Sequence, residues 1–198
     1  NRWTTNKSNP TTSEELNFLW NYQIKEMYLR YFAWQFVGKE SHEERSWDLV
    51  TLKGDVIKKL RGVDWGRYGL PFPLLFGIIG MIFHFSRDWK RALAVLSLFL
   101  ATGLMIILYL NQYDPQPRER DYSYVGSFFT FSIWIGMGVA ALQEKIKEWL
   151  EGVEIAGFIS IGLTGIIFVL MPITMLTTDF KEHNRDGNYV AWDYAYNM

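Results

Sequence analysis

Four long apolar runs occupy the second half of the chain, at residues 68–85, 92–110, 125–142 and 155–176. Each run has close to the ~20 residues that a helix needs to cross the hydrocarbon core of a bilayer. Four such runs leave too little polar sequence between them to cover a soluble fold. The pattern therefore predicts an all-α, polytopic membrane protein whose four transmembrane helices occupy residues 68–178.

An aromatic-rich helix is predicted before these runs, over residues 14–37. Thr12 and Glu15 have the spacing of a capping box, with Thr12 as the N-cap residue. The helix is long enough to cross a bilayer, but Lys25 and Arg30 lie near its centre. Each would cost roughly 2.5–3.5 kcal/mol in lipid. We therefore expect this helix at the membrane interface or packed among other helices, and Glu26 can pair with Arg30 one turn later.

The distribution of basic residues predicts the orientation. Residues 86–91 and 143–154 lie on one side and hold more of them than the 111–124 loop on the other side. The positive-inside bias places the richer side in the cytoplasm. Residues 1–67 then form an extracytoplasmic segment, and residues 179–198 begin a truncated extracytoplasmic domain.

Composition narrows the functional classes. The net charge is −1, so nothing suggests binding to nucleic acid. The chain has no cysteine, which excludes disulfides and thiolate metal sites. Its three histidines are far apart and lack ligand spacing, so no metal site is assigned and a need for a divalent metal stays open. Because the chain starts at Asn1 without an initiator Met, we expect a fragment of a longer protein.

Candidate chemistry is concentrated in the loop between the second and third apolar runs, residues 111–124, called the hairpin loop below. Pro115 and Pro117 prevent continuation of the preceding helix. The loop then presents two guanidinium groups, two carboxylates and two phenols in Arg118, Glu119, Arg120, Asp121, Tyr122 and Tyr124. A loop that only connects two helices does not need these charged and aromatic groups. We therefore predict a binding site here, and we include Gln116 in it.

Two interpretations of the charged run Arg118–Asp121 stay open. The charges could neutralise one another in a structural cluster, although surface pairs contribute only ~0–1 kcal/mol. Alternatively, Arg118 and Arg120 bind a phosphate bidentately at the membrane interface, where a lipid-linked phosphate donor would present its charge. Asp114, Glu119 or Asp121 could serve as a general base or a metal ligand.

Glycine pairs predict close contacts between the apolar helices. They are Gly77 and Gly80, Gly136 and Gly138, and Gly162 and Gly165. Small residues at such spacing let helix backbones approach closely in membranes.

Residues 108–139, LYLNQYDPQPRERDYSYVGSFFTFSIWIGMGV, resemble the signature of a large bacterial family of multispanning membrane proteins. That family is grouped with an animal transmembrane protein O-mannosyltransferase. The segments ELNFLWNYQIKEMYLRYFAWQFVGKE and RDGNYVAWDYAYNM agree with it in order and spacing, so the resemblance covers nearly the whole chain.

The resemblance implies a lipid-dependent glycosyltransferase of the multispanning type C architecture. Such an enzyme, in the bacterial inner membrane, would move a sugar from a polyprenyl-phosphate donor to an extracytoplasmic protein acceptor. Arg118 and Arg120 would bind the donor phosphate, while Arg30 and Trp34 would line the same cavity. Glu119 and Asp121 would orient the arginines or contact the sugar.

The resemblance leaves the catalytic residue unassigned. In this architecture the catalytic carboxylate lies in the first extracytoplasmic loop, which we expect outside this sequence. Two other classes stay open: a transporter or flippase of an anionic or lipid-linked substrate, and a non-catalytic envelope scaffold. The charge-free runs 92–110 and 155–176 argue against transport, because they carry no ionisable residue along a crossing path.

Overall fold

The computed structural model describes residues 9–40, 62–114, 119–184, 189–190 and 195–196. This part of the chain is helical, and its only β feature is an isolated bridge between Lys39 and Val63. The first helix, α1, has three continuous pieces. The described residues form five helices: α1 (Thr12–Phe18, Leu19–Leu29 and Arg30–Phe36), α2 (Phe72–Arg87), α3 (Trp89–Leu110), α4 (Val125–Trp149) and α5 (Ala156–His183).

The capping box of α1 lies one residue earlier than predicted. Thr11, and not Thr12, is the N-cap residue, and its Oγ1 accepts a hydrogen bond from the Glu14 N–H at 3.4 Å. The Glu14 carboxylate accepts from the Thr11 N–H at 2.9 Å, so Glu15 is not the reciprocal partner. The run TTSEE allows both registers, because each threonine is followed three residues later by a glutamate.

The middle of α1, Leu19–Leu29, is a π-helix. In a π-helix the backbone bonds join residues five apart, so residues five apart come close to one face. Its buried residues follow that spacing: Tyr22 with Met27, and Gln23 with Tyr28. The sequence predicted the helix but not this widening.

In the described part of the chain, three helices are long and apolar enough to cross a membrane: Trp89–Leu110, Asp121–Trp149 and Ala156–Phe180. They correspond to the second, third and fourth predicted runs, which suggests a multi-pass membrane protein. The first run forms the shorter helix α2, of 16 residues, and its crossing of the membrane stays a prediction. The hairpin loop ends in a turn of 3-10 helix, Asp121–Tyr124, which leads directly into α4.

Helices α2 and α4 pack in parallel with their backbones close together. Gly77 lies against the Phe131 ring, Gly80 against the backbone of Trp134 and Gly138, and Gly138 against Phe76. The predicted role of Gly77, Gly80 and Gly138 in helix contacts is confirmed. It is wrong for three others within the described residues, where nothing lies within 4 Å of a Cβ built on Gly136, Gly162 or Gly165.

An aromatic core joins α1 to the apolar helices. Phe32 packs edge-on against Phe131, with ring centroids 4.8 Å apart, and Phe36 lies 4.7 Å from the same ring. Phe32 also contacts Phe99, ten residues into α3, which is about 15 Å along its axis. The sequence left two positions open for this aromatic helix, at the membrane interface or packed among other helices. In the structure, α1 is packed among other helices.

Ion pairs join the helix ends at two opposite levels. Arg87 at the end of α2 pairs with Glu144 near the end of α4. At the other level, Arg67 donates two hydrogen bonds to Oδ1 of Asp179 in α5, at 2.8 and 3.0 Å, and the Tyr68 hydroxyl donates to Oδ2 at 2.6 Å. Residues 86–91 and 143–154 therefore share one side, as the sequence predicted. Which side faces the cytoplasm stays a prediction.

Candidate functional site

Arg30 is a buried charge on α1, with only 2% of its surface exposed. Its Nη2 and Nη1 donate to the two oxygens of Glu119 in the hairpin loop, at 2.7 and 3.3 Å. Its Nε donates to the backbone carbonyl of Glu26 at 2.8 Å and lies 3.6 Å from the Glu26 carboxylate, as the four-residue spacing predicted. This bidentate pairing compensates the desolvated guanidinium, which would be costly to bury alone.

Two aromatic rings enclose the same guanidinium. The Cζ of Arg30 lies 4.6 Å from the ring centroid of Tyr31 and 4.8 Å from that of Trp34. Trp34 also receives the Lys39 ammonium at 4.4 Å, and a Cβ on Gly62 would touch its ring. Arg30 and Trp34 are thus both buried inside the protein, and their predicted role in lining a donor cavity stays a prediction.

Tyr31 connects α1 to two residues of the hairpin loop. Its hydroxyl donates a hydrogen bond to the Glu119 carboxylate and accepts one from the backbone N–H of Arg120 at 3.3 Å. Burial, followed by the hydrogen bond to Glu119, raises the pKa of the Tyr31 phenol well above its usual value. The protonated phenol is therefore favoured, and it donates its hydrogen bond to Glu119.

Arg120 is held by its backbone, while part of its side chain lacks a partner. Its Nε is buried and has no hydrogen-bond partner in the part of the chain that the structure describes. Leaving a buried donor unpaired costs about 1–3 kcal/mol. The guanidinium thus retains hydrogen-bonding capacity beside a cluster in which Arg30, Tyr31 and Glu119 already satisfy one another.

The other predicted site residues differ in exposure. Asp121 begins the 3-10 turn, where its Oδ1 accepts from the Tyr122 N–H at 3.0 Å, and the Tyr122 ring is exposed. Tyr124 is buried, with its ring 5.5 Å from Tyr28 and 6.2 Å from Tyr31. The structure therefore brings Glu119, Arg120 and Tyr124 together with α1, whereas Tyr122 points outward. Gln116 and Arg118 lie outside the described residues.

Three further polar residues at this end of the molecule were not singled out from the sequence: Tyr31, Gln23 and Gln112. Gln23 donates from Nε2 to Asn111 Oδ1 at 2.8 Å, which ties α1 to the start of the hairpin loop. The available signal was the NQ pair directly after the apolar run of α3. Its significance depends on which residues of α1 lie opposite, and a single sequence does not specify that.

The described residues contain no group of three or more metal-ligating side chains. What the arrangement offers chemically is Arg120, whose Nε has no partner among the described residues, next to a carboxylate fixed by Arg30 and Tyr31. It lies directly between the ends of α3 and α4, two helices able to cross a membrane. A phosphate or another anion at a membrane interface suits such donors.

Fold and site together define a helical, membrane-type protein with a polar cluster where α1 meets the hairpin loop. Comparison with known proteins does not add a family: no family model, no curated protein and no solved structure matches this chain.

Proposed function

We propose that this chain is part of a membrane glycosyltransferase that moves a sugar from a polyprenyl-phosphate donor to an extracytoplasmic protein acceptor. The observation that carries the proposal is Arg120, whose Nε is buried without a partner in the described part of the chain. Its position at the end of membrane-type helices suits a phosphate attached to a lipid. The sequence resemblance at residues 108–139 supplies the reaction class.

In this proposal the two described arginines have different roles. Arg30 is occupied by Glu119 and Glu26, so it supports the site from inside. Arg120, together with Arg118, binds the donor phosphate and stabilises the charge that develops on it as the glycosidic bond to the carrier breaks. The acceptor hydroxyl must also lose its proton, and we assign that base to no residue of this chain.

The proposal includes α2 as a fourth membrane-crossing helix. Its 16 residues are short, and the uncharged residues 69–71 directly before it extend the run. A short crossing helix is accommodated by local thinning of the bilayer at modest cost. The site then lies on the extracytoplasmic face of a bacterial inner membrane.

Transfer of radiolabelled mannose from polyprenyl-phosphate-mannose to envelope protein tests this function. The protein is assayed in membranes. Arg120→Ala should reduce transfer roughly 100-fold, because one donor to the developing charge is lost. Arg118→Lys should also lose most transfer, since a lysine lacks the bidentate fork.

Arg91→Ala is the matched control, because Arg91 is an exposed arginine at the opposite end of α3. Its transfer should equal that of the wild type. Equal transfer by Arg120→Ala would reduce the cluster to a structural connection between α1 and the hairpin loop. Movement of intact lipid across the bilayer without transfer would instead indicate the transporter class.

A further inference from the structure

Side chains of α1 hold the first three residues of the hairpin loop in place. Asn111 has a left-handed backbone, with φ 38° and ψ 54°, and its side chain accepts from Gln23 at 2.8 Å. Gln23 Nε2 also lies 3.4 Å from the Gln112 carbonyl, and the Tyr22 hydroxyl donates to the Tyr113 carbonyl at 3.0 Å. The backbone around Gln112 is therefore held in one conformation by three side-chain contacts.

The side chain of Gln112 is not satisfied by these contacts. It is only 6% exposed, and neither its Nε2 nor its Oε1 has a hydrogen-bond partner among the described residues. An amide offers two donor hydrogens and two acceptor lone pairs, and leaving them unpaired in the interior is unfavourable. An apolar side chain of similar size would fill the same space without that penalty.

The chemistry around Gln112 is uncharged and suits a hydroxylated ligand. The amides of Gln23, Asn111 and Gln112 can each donate and accept, as sugar hydroxyls require, whereas a phosphate needs donors only. Tyr113 follows Gln112 directly in the chain, and its side chain is exposed. Aromatic faces next to amide groups are a common setting for sugar rings.

We propose that Gln112, with Gln23 and Asn111, forms a subsite for an uncharged sugar ring. Gln23 and Tyr31 are eight residues apart on α1. An α-helix would separate them by about 12 Å along its axis, and the π-helical stretch Leu19–Leu29 makes the separation somewhat shorter. That separation is of the order of a phosphate joined to a sugar ring and its hydroxyls. Identifying the ring as the sugar of a lipid-phosphate donor rests on the proposed function above.

Equilibrium binding to the chain in phosphatidylcholine nanodiscs tests the subsite with two lipid probes, farnesyl phosphate and farnesyl-phosphate-mannose. The wild type should bind the mannosylated lipid at least tenfold more tightly. Gln112→Met should abolish that preference and leave the affinity for farnesyl phosphate unchanged. Gln143→Met, the same change at the far end of α4, should keep the preference.

Thermal unfolding of the same variants without ligand separates binding from a structural role. Gln112→Met should unfold at the wild-type temperature or higher, because it removes unpaired buried atoms. A lower unfolding temperature would mean that the amide has a structural partner, and the subsite would be rejected. Equal wild-type affinity for both lipids would reject it as well.

A third probe, octyl mannoside, makes failure of this subsite distinguishable from failure of the proposed function. In one outcome, Gln112→Met abolishes binding of octyl mannoside, while Arg120→Ala changes the binding of neither phosphorylated lipid. That outcome would support the sugar subsite and reject the proposed lipid-phosphate donor. In the other outcome, Arg120→Ala weakens the binding of both lipids, and the wild type binds them equally tightly. That outcome would support the lipid-phosphate donor and overturn the sugar subsite.

Discussion

Arg30 illustrates how a charged residue is accommodated in an aromatic helix. Its guanidinium makes cation–π contacts with the Tyr31 and Trp34 rings and donates hydrogen bonds to the Glu119 carboxylate. Each contact offsets part of the desolvation cost, and together they hold the hairpin loop against α1. The Glu119 side chain remains 41% exposed, so it is the accessible member of the pair.

Replacement of Glu119 by glutamine should destabilise the protein by about 2 kcal/mol, because a hydrogen-bonded charge pair is lost and Arg30 stays buried. The free energy of unfolding in detergent provides the measurement. In an Arg30→Met background the same Glu119→Gln change should cost little. An equal loss in both backgrounds would show that the stabilisation does not come from this pair.

At the scale of elements, the close approach of α2 and α4 is determined by glycine. The two helices run in parallel, and a Cβ on Gly80 would overlap the backbone atoms of Trp134 and Gly138. Backbone cannot move aside as a side-chain end can, so the helices would have to separate. This contact also sets the position of Phe131 and Trp134, on which the aromatic core of α1 is built.

The substitution Gly80→Ala should therefore lower the free energy of unfolding by about 3 kcal/mol, at the upper end for overpacking. Gly136→Ala is the matched control on α4, since no described residue lies within 4 Å of a Cβ built there. Alanine is the better helix former by about 1 kcal/mol, so the control should be neutral or slightly stabilising. Similar losses in both variants would argue against the close contact.

At the scale of the whole molecule, a polar connection ties α5 to the segment before α2. Arg67 and Tyr68 both bind the Asp179 carboxylate, whereas most of the apolar surface of α5 is exposed. Burial, and then the hydrogen bond to Asp179, raises the pKa of Tyr68 to about 12 from its usual value near 10. The neutral phenol is thus favoured in the folded protein.

Stability should consequently fall at alkaline pH. The contribution of Tyr68 is fully present below about pH 10, where the phenol is neutral in both states, and it is lost as the pH rises through about 12. Thermal unfolding across this range should show a steeper loss for the wild type than for Tyr68→Phe. Parallel curves for the two proteins would exclude Tyr68 as a source of the pH dependence.

Cysteine labelling can test the topology, because the chain has no native cysteine. Trp65→Cys and Tyr113→Cys should react with a membrane-impermeant maleimide from one side of sealed vesicles. Lys90→Cys and Lys147→Cys should react only from the other side. If Trp65→Cys and Lys90→Cys are labelled from the same side, α2 does not cross the membrane.

The hydrophobic pattern was enough to predict the apolar helices of this protein, although not the π-helical middle of α1. Runs of apolar residues predicted the apolar helices, because a polar backbone in lipid has to satisfy its hydrogen bonds internally and helices do so. Spacing within one helix also sufficed for the Glu26–Arg30 pair. Composition alone also predicted a binding site in the charged hairpin loop, and that site stays a prediction.

Only the tertiary structure decided which of those residues act on one another. Arg30 and Arg120 look equivalent in the sequence, yet one is occupied by Glu119, while the other keeps a buried Nε without a partner in the described chain. Gly80 and Gly136 look alike too, and only Gly80 meets a neighbouring backbone. Such differences arise from contacts between residues more than fifty positions apart, which depend on how the helices pack and are not encoded in local spacing.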